Sequence, residues 1–361
     1  MTPPRALVVG QSFTYKPDGF AAGHNVEARD LEVARNLRIC GWDASLLATW
    51  SGMSKDGGIK FVAHNDVGVL SDYAAAVLVD ITGHRQAKQA GLLVENHNNT
   101  AIILDAAFWA SETTHVRVAG LSSTRAVEAY RQACPTAETF LMPFGMVNVP
   151  ADLPSPWASK GVKRVVYIGS VNYEFLPILN RIAECPSFEL WIGALCHIGA
   201  KPPVLTVEES QRFCPNFHFL SDLIDGGKFF GGRGPVLNGS FWPALIHADA
   251  AFNISACMEQ QQINGKFYDY LGAGCPTVSD LGPPNAGDVI TLEAGELVPY
   301  RDAEAFVAAL ERVVNKTWDR ERIRREAHAL SSWSASVKML SDRLRKRLER
   351  GAYSRGIAWR S

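Results

Sequence analysis

The sequence predicts an α/β fold of two Rossmann-like, doubly wound domains that face a central cleft. Three observations carry this expectation. The chain has 361 residues, more than one hydrophobic core usually organises, so two units are expected. Short apolar runs alternate with stretches of helical periodicity, the pattern of parallel strands buried on both faces and joined by helices. The alternation starts a second time after residues 150–161, PADLPSPWASKG, the most Pro- and Ser-rich segment and the expected linker.

Ala6 to Gly10 (ALVVG) reads as the first strand. A polar loop, GQSFTYKPDGFAAGHN, leads into VEARDLEVARNLRICGW, whose apolar positions recur at helical spacing until Cys40-Gly41 closes the helix. Ala44 to Thr49, Ala75 to Ile81 and Ala101 to Leu104 continue as strands, with a helix expected over Gln86 to Asn96. In the second half RVVYIGS (164–170) repeats the strand-and-glycine opening. PILNRIAEC (177–185) carries proline at its first helical position, and FELWIGA (188–194) is the next strand. Phe217 to Leu220, Ala250 to Ile254 and Thr277 to Ser279 supply further strands, and residues 303–350 are mostly helical. Ligands of such sheets bind beyond the carboxyl ends of the strands, so the functional residues are expected there.

Hydrophobic residues make up 47% of the chain and charged ones 20%; 36 basic against 37 acidic residues leave a net charge of −1. No global field therefore points to a polyanionic partner. The start, MTPPRALVVG, is too short in its apolar run for a secretory signal, and no apolar stretch reaches the ~18 residues of a membrane helix. Seven scattered cysteines lack any CxxC spacing and read as small core residues of a protein in a reducing cytoplasm.

The stretch INGKFYDYLGAGCPTVSD (263–280) is the most specific one. Asn264-Gly265 turns into a helix of about two turns that stops at Gly274. Lys266 then lies in the first turn, beside exposed N–H groups and the positive end of the dipole, a place that suits a cation only if an anion sits there too. Asp269 follows at i, i+3 on the same face, so a Lys–Asp surface pair is the plainer reading. Gly169-Ser170, after the first strand of the second half, could let backbone N–H groups approach a phosphate; a plain strand-to-helix turn would look the same. The spacing is not GxGxxG, which counts against a dinucleotide.

The short helix ending in small residues and followed by G-x-P-x-V resembles the donor-site helix of GT-B glycosyltransferases (group 1, family 4-like). In that resemblance Asp269 stands where the family has a ribose-binding Glu, and Gln261 where it has the first Glu of its E-x7-E motif. Lys266 matches the lysine that contacts the diphosphate, and Gly169 and Ser170 match the Gly-rich turn of the nucleotide domain. Met142-Pro143-Phe144-Gly145 resembles the P-x-G segment before the interdomain linker. The resemblance implies a nucleotide-sugar-dependent transferase needing no cofactor and, with no D-x-D triplet present, no metal. Its donor is a nucleoside diphosphate sugar, a UDP-sugar favoured, held by Gly169, Ser170, Gln261, Asn264, Gly265, Lys266 and Asp269. The implied organisation is an acceptor-binding half over 1–155, a nucleotide-sugar half over 162–320, and a helical segment, 321–361, packing back on the first half.

An inverting reaction needs a base from the first half. Asp18 and His24, in the loop after the first strand, are the leading candidates, with Asp80 at a later strand end, His84 in the loop after it, and Asp105 as a further strand-end carboxylate. Aromatics near expected strand ends or loops, such as Phe108 and Trp109, could stack on a sugar or base, and Tyr173, Phe175 and Phe219 could flank the nucleotide, although an ordinary core or rim place is the better reading for any one of them. The acceptor hydroxyl is expected on a saccharide or lipid-linked saccharide. The basic run RLRKRLER (343–350) fits a solvated helix face, a peripheral contact to anionic lipid, or a contact to nucleic-acid phosphate. This keeps a phage-type DNA glycosyltransferase acting on a hydroxymethylated base in view, beside a non-hydrolysing nucleotide-sugar epimerase and a non-catalytic sugar-binding module.

Overall fold

A computed structural model of the chain describes residues 2–10, 25–54, 57–104, 106–146, 152–157, 161–169, 171–194, 212, 215–223, 242–258 and 263–354. The first sheet contains β1 (Arg5–Val9), β2 (Asp43–Ala48), β3 (Gly52–Met53), β4 (Lys60–Ala63), β5 (Ala75–Val79), β6 (Thr100–Leu104), β7 (Val118–Leu121) and β8 (Glu138–Leu141). Their order is β3-β4-β2-β1-β5-β6-β7-β8, parallel except for the antiparallel edge strand β3. Helices α1 (Asn25–Ile39), α2 (Asp80–Gln89) and α3 (Thr124–Ala133) link these strands.

The second sheet contains β9 (Arg164–Gly169), β10 (Glu189–Ala194), β11 (His218–Phe219), β12 (Ala250–Asn253), β13 (Thr277–Asp280) and β14 (Gly295–Val298), all parallel and ordered β11-β10-β9-β12-β13-β14. Helices α4 (Leu176–Ala183), α5 (Trp242–His247), α6 (Gly265–Gly272), α7 (Asp288–Thr291) and α8 (Ala303–Asn315) accompany it. The sequence ends in α9 (Arg320–Leu330) and α10 (Trp333–Ser354). Both sheets reverse winding direction beside their first strand, which sets topological switch points at β1/β5 and β9/β12.

Local chemistry accounts for many of these elements. All five residues of β5 and of β6 are buried, as an apolar run between two layers requires. Pro177 enters α4 in its first turn. Asp302 caps α8 by accepting from Ala305 N at 3.0 Å, and Ser123 caps α3 by accepting from Ala126 N at 3.1 Å. The helix expected over 86–96 instead starts at Asp80, directly on the end of β5. Gly83 permits that close entry, since a Cβ there would sit 2.2 Å from the Val9 carbonyl oxygen.

Strands β4, β7, β8 and β14 were absent from the pattern for a physical reason. Each has four residues, β8 and β14 are mostly half-exposed, and Gly120 interrupts the apolar run of β7. Among the cysteines, Cys134, Cys185 and Cys275 are core residues as expected, but Cys257 is exposed.

The two halves share one hydrophobic cluster that includes Leu37, Phe144, Phe267, Leu271 and Trp333. Residues 142–146, late in the first half, meet the C-terminal helices, where Met146 N donates to Ser331 O at 3.1 Å and Ser336 Oγ to Pro143 O at 2.7 Å. From there α10 lies on α1, with Trp42 Nε1 donating to Ser341 Oγ at 2.8 Å and Leu340 and Leu344 fully buried. Among the described residues no helix is long and apolar enough to cross a membrane.

Candidate functional site

The second switch point opens a crevice. Strand β10 stays paired with β9 as far as Gly169, whereas β12 pairs with β9 only at Val165 and Val166. Beyond Val166 the backbone of β9 would be left without a partner on that side. Tyr270 of α6 supplies one: its hydroxyl accepts from Ile168 N at 2.9 Å and donates to Ile168 O at 3.1 Å. The splayed strands are thus held apart by a side chain that meets the hydrogen-bonding demand of both backbone groups.

Lys266 lies one turn before Tyr270 on α6 and reaches the same place. Its Nζ is 3.3 Å from the Tyr167 hydroxyl and 4.5 Å from the centroid of that ring. A Cβ on Gly169 would lie 2.8 Å from the same nitrogen and 3.1 Å from the Tyr167 hydroxyl. With its φ of +155°, Gly169 is therefore required twice, for its backbone conformation and for the space that Lys266 occupies. Two features read separately in the sequence, the glycine turn and the helix lysine, meet here.

Burial pulls the Lys266 ammonium down from 10.5 to about 7, opposed by the attraction of Asp280. The same burial, with Asp280 adding to it, pushes the Tyr167 hydroxyl up. Asp280 ends β13, is fully buried, and accepts from Ser255 N at 3.1 Å and from Ser255 Oγ. The carboxylate that draws Lys266 is thus Asp280, not Asp269. The plainer alternative of a Lys–Asp surface pair does not hold: Asp269 is only 2% exposed.

Asn264 precedes α6 in extended conformation and makes no side-chain cap. Its amide instead donates to Asn253 Oδ1 at 2.5 Å, while its backbone N donates to Asn285 Oδ1 at 3.1 Å. Asn253 in turn donates to Ser279 Oγ at 3.2 Å. This polar chain pins the start of α6, with Gly265 as its first residue, to the carboxyl ends of β12 and β13. Ser170 and Gln261 lie outside the described residues. Of the aromatics, Phe175 and Phe219 are core residues, whereas Tyr173 is 52% exposed just beyond Gly169.

In the first half, Asp80 sits at the β1/β5 switch point with φ 62°, a left-handed conformation that residues with a Cβ seldom adopt. Its Oδ1 accepts from Ile81 N at 2.7 Å. Asp18, His24 and Asp105 lie outside the described residues. His84 is not in a loop: it is buried inside α2, stacked on His115 with ring centroids 5.2 Å apart, and burial lowers its pKa. Phe108 and Trp109 are exposed on the turn after β6, with Arg85 over the Trp109 ring at 4.7 Å.

The basic C-terminal run is more engaged than a solvated face. Arg343 lies over Phe140 at 4.0 Å and beside Glu138 at 3.4 Å, and Arg345 donates to Cys40 O at 2.8 Å and lies over Trp42. Sequence reasoning missed Tyr167, Tyr270 and Asp280 as site-forming residues. The available signals were a tyrosine two residues before the glycine of a buried strand and an aspartate closing the short strand TVSD.

No protein-family profile matches the chain, and no curated protein sequence does either. Solved structures match over nearly its whole length. Sucrose-phosphate synthase from Thermosynechococcus elongatus superposes with a TM-score of 0.63 at 15% identity, covering 96% of this chain and 100% of that one. WaaG, a glycosyltransferase involved in lipopolysaccharide biosynthesis, gives 0.57 at 10% identity over 94% and 99%. HepE from Anabaena, in complex with UDP-glucose, gives 0.57 at 12% identity over 96% and 99%. The fold of this chain is GT-B.

Proposed function

We propose that the protein is a glycosyltransferase that moves a sugar from a nucleoside diphosphate sugar to an acceptor hydroxyl. The observation that carries this reading is Lys266, half-buried in the β9/β12 crevice with its ammonium against Tyr167 and beneath Gly169. A desolvated ammonium with no carboxylate in direct contact among the described residues is an unfavourable arrangement that a diphosphate would reverse. Once the anion is bound, Lys266 is favoured in its charged form and stabilises the negative charge that grows on the leaving diphosphate. Asn264 and Gly265 set the start of α6 against the same anion, and Ser170 and Gln261 belong to this donor site in the reading. Asp269 is assigned to the ribose hydroxyls, which requires that α6 or the ligand expose it.

HepE's bound UDP-glucose favours a UDP-sugar donor. A saccharide or lipid-linked saccharide acceptor accords with sucrose-phosphate synthase and with WaaG's place in lipopolysaccharide biosynthesis. The acceptor hydroxyl gives its proton to a carboxylate or imidazole of the first half, Asp80 or one of Asp18 and His24. Nothing favours the DNA acceptor, because Arg343 and Arg345 of the basic run serve contacts within the chain.

The test is a melting-temperature panel with UDP, GDP, ADP and dTDP, followed by transfer assays with the sugar of whichever base binds. One nucleotide should raise the melting temperature, and Lys266→Ala should remove that rise and most of the turnover. Absence of any rise in the parent protein would overturn the reading. Conversion of the nucleotide sugar without an acceptor would point to the epimerase instead.

A further inference from the structure

Arg301 lies three residues beyond the end of β14, just before the cap of α8, and holds a φ of 55°. Glycine or asparagine would adopt that left-handed conformation at little cost; a long β-carbon side chain does so only where something holds it. Here the guanidinium is what is held. Its Nε donates to Ser255 O at 3.2 Å, and one terminal nitrogen donates to Ala256 O at 2.6 Å and to Glu174 Oε2 at 2.9 Å. The group also lies over Phe175 at 5.3 Å, and the neighbouring Tyr300 hydroxyl donates to the same Ala256 carbonyl at 3.3 Å.

Ser255 and Ala256 begin the segment leading from β12 towards α6, and Glu174 and Phe175 lie in the turn after β9. One side chain therefore ties together the two segments that border the Lys266 crevice. Asp280 fixes the same strap from the other side through Ser255 N. In a planar trans peptide the N–H points opposite to the preceding C=O. With both carbonyls drawn to Arg301, the N–H groups of the exposed residues Ala256 and Cys257 face away from it in succession, the arrangement of a small anion-binding concavity.

We propose that Arg301 is a positioning residue for the nucleotide diphosphate, resting on the transferase reading above: it sets the β12 strap against the β9 turn so that successive peptide N–H groups face the ligand. The strained backbone is retained because the fork of the guanidinium is needed at that point.

Arg301→Gly separates this from a purely structural role, since it relieves the backbone while removing the clamp. The expected result is a melting temperature no lower than the parent's, faster amide exchange over residues 254–258 without ligand, and a Kd for the nucleoside diphosphate raised by roughly tenfold or more. The donor KM should rise in parallel with little change in kcat, and Arg301→Lys, which keeps the charge but not the fork, should fall between the two. Unchanged Kd and exchange in Arg301→Gly would overturn the proposal while leaving the transferase reading intact. A parent protein that binds no nucleoside diphosphate would overturn the transferase reading, and this proposal with it.

Discussion

Lys266→Met should stabilise the ligand-free protein while abolishing nucleotide binding. The parent lysine has its pKa drawn from 10.5 to about 7 by burial, so below about pH 7 the folded state carries the full cost of a desolvated ammonium. Each pH unit between the two values corresponds to about 1.4 kcal/mol, giving a ceiling of about 5 kcal/mol. Lys266 is only partly buried by accessible area, and Asp280 loses its cation in the variant, so a net gain of about 2 kcal/mol is the working figure. For a unit of this size that is a rise in melting temperature of roughly 4–8 °C. The sign with pH follows from proton counts. Between pH 7 and 10.5 the unfolded parent binds a proton that the folded parent does not, so parent stability rises with pH across that window. The advantage of the variant should therefore be largest near pH 6.5 and shrink towards pH 9.5. Chemical denaturation at both pH values, without nucleotide, measures it. A variant less stable than the parent at pH 6.5, or an advantage independent of pH, would refute the picture of an anion-awaiting lysine.

The same titration predicts proton uptake on binding: at pH 8, calorimetry of UDP binding in buffers of different ionisation enthalpy should report close to one proton taken up, falling away below pH 6. Asp80→Gly should keep or raise thermal stability, because glycine accepts φ 62° without the ~1 kcal/mol strain of a β-carbon. If Asp80 is the base, turnover should fall by roughly a hundredfold or more with nucleotide affinity unchanged, and full turnover would assign the base elsewhere. Gly169→Ala should weaken nucleotide binding and cost roughly 1–3 kcal/mol, since its methyl group would meet Lys266 Nζ at 2.8 Å; unaltered binding by calorimetry would separate the glycine from the site.

What the sequence made legible and what it hid divide along physical lines. Strands buried on both faces, such as β1, β5, β6 and β9, are continuous apolar runs, so their alternation with helices marks a doubly wound α/β fold in the sequence itself. Edge and short strands such as β4, β8 and β14 take only part of their side chains into the core and leave no such run. Lys266 was legible because it contradicts the helix dipole, and Gly169 because it ends a strand. Tyr167 and Tyr270 were not, since an aromatic in an apolar stretch looks the same whether or not its hydroxyl meets a partner. His84 reads as a loop residue because nothing local announces that α2 begins directly after the last residue of a strand.

The local rules that this chain breaks are themselves informative. Among the described residues the non-glycine positions with positive φ are Asp80, Glu293 and Arg301. Glu293 follows a helix end, where such a conformation is ordinary. The other two lie just beyond the carboxyl ends of β5 and β14, and the crowded Gly169, with the desolvated ammonium of Lys266 against it, lies at the end of β9. Unfavourable backbone and unfavourable solvation thus meet at strand ends where a doubly wound sheet binds its ligands. Selection for stability alone would replace Arg301 with glycine and Lys266 with an apolar residue. That a strained arginine and a desolvated lysine both contact the walls of one crevice is the physical reason to place the ligand there.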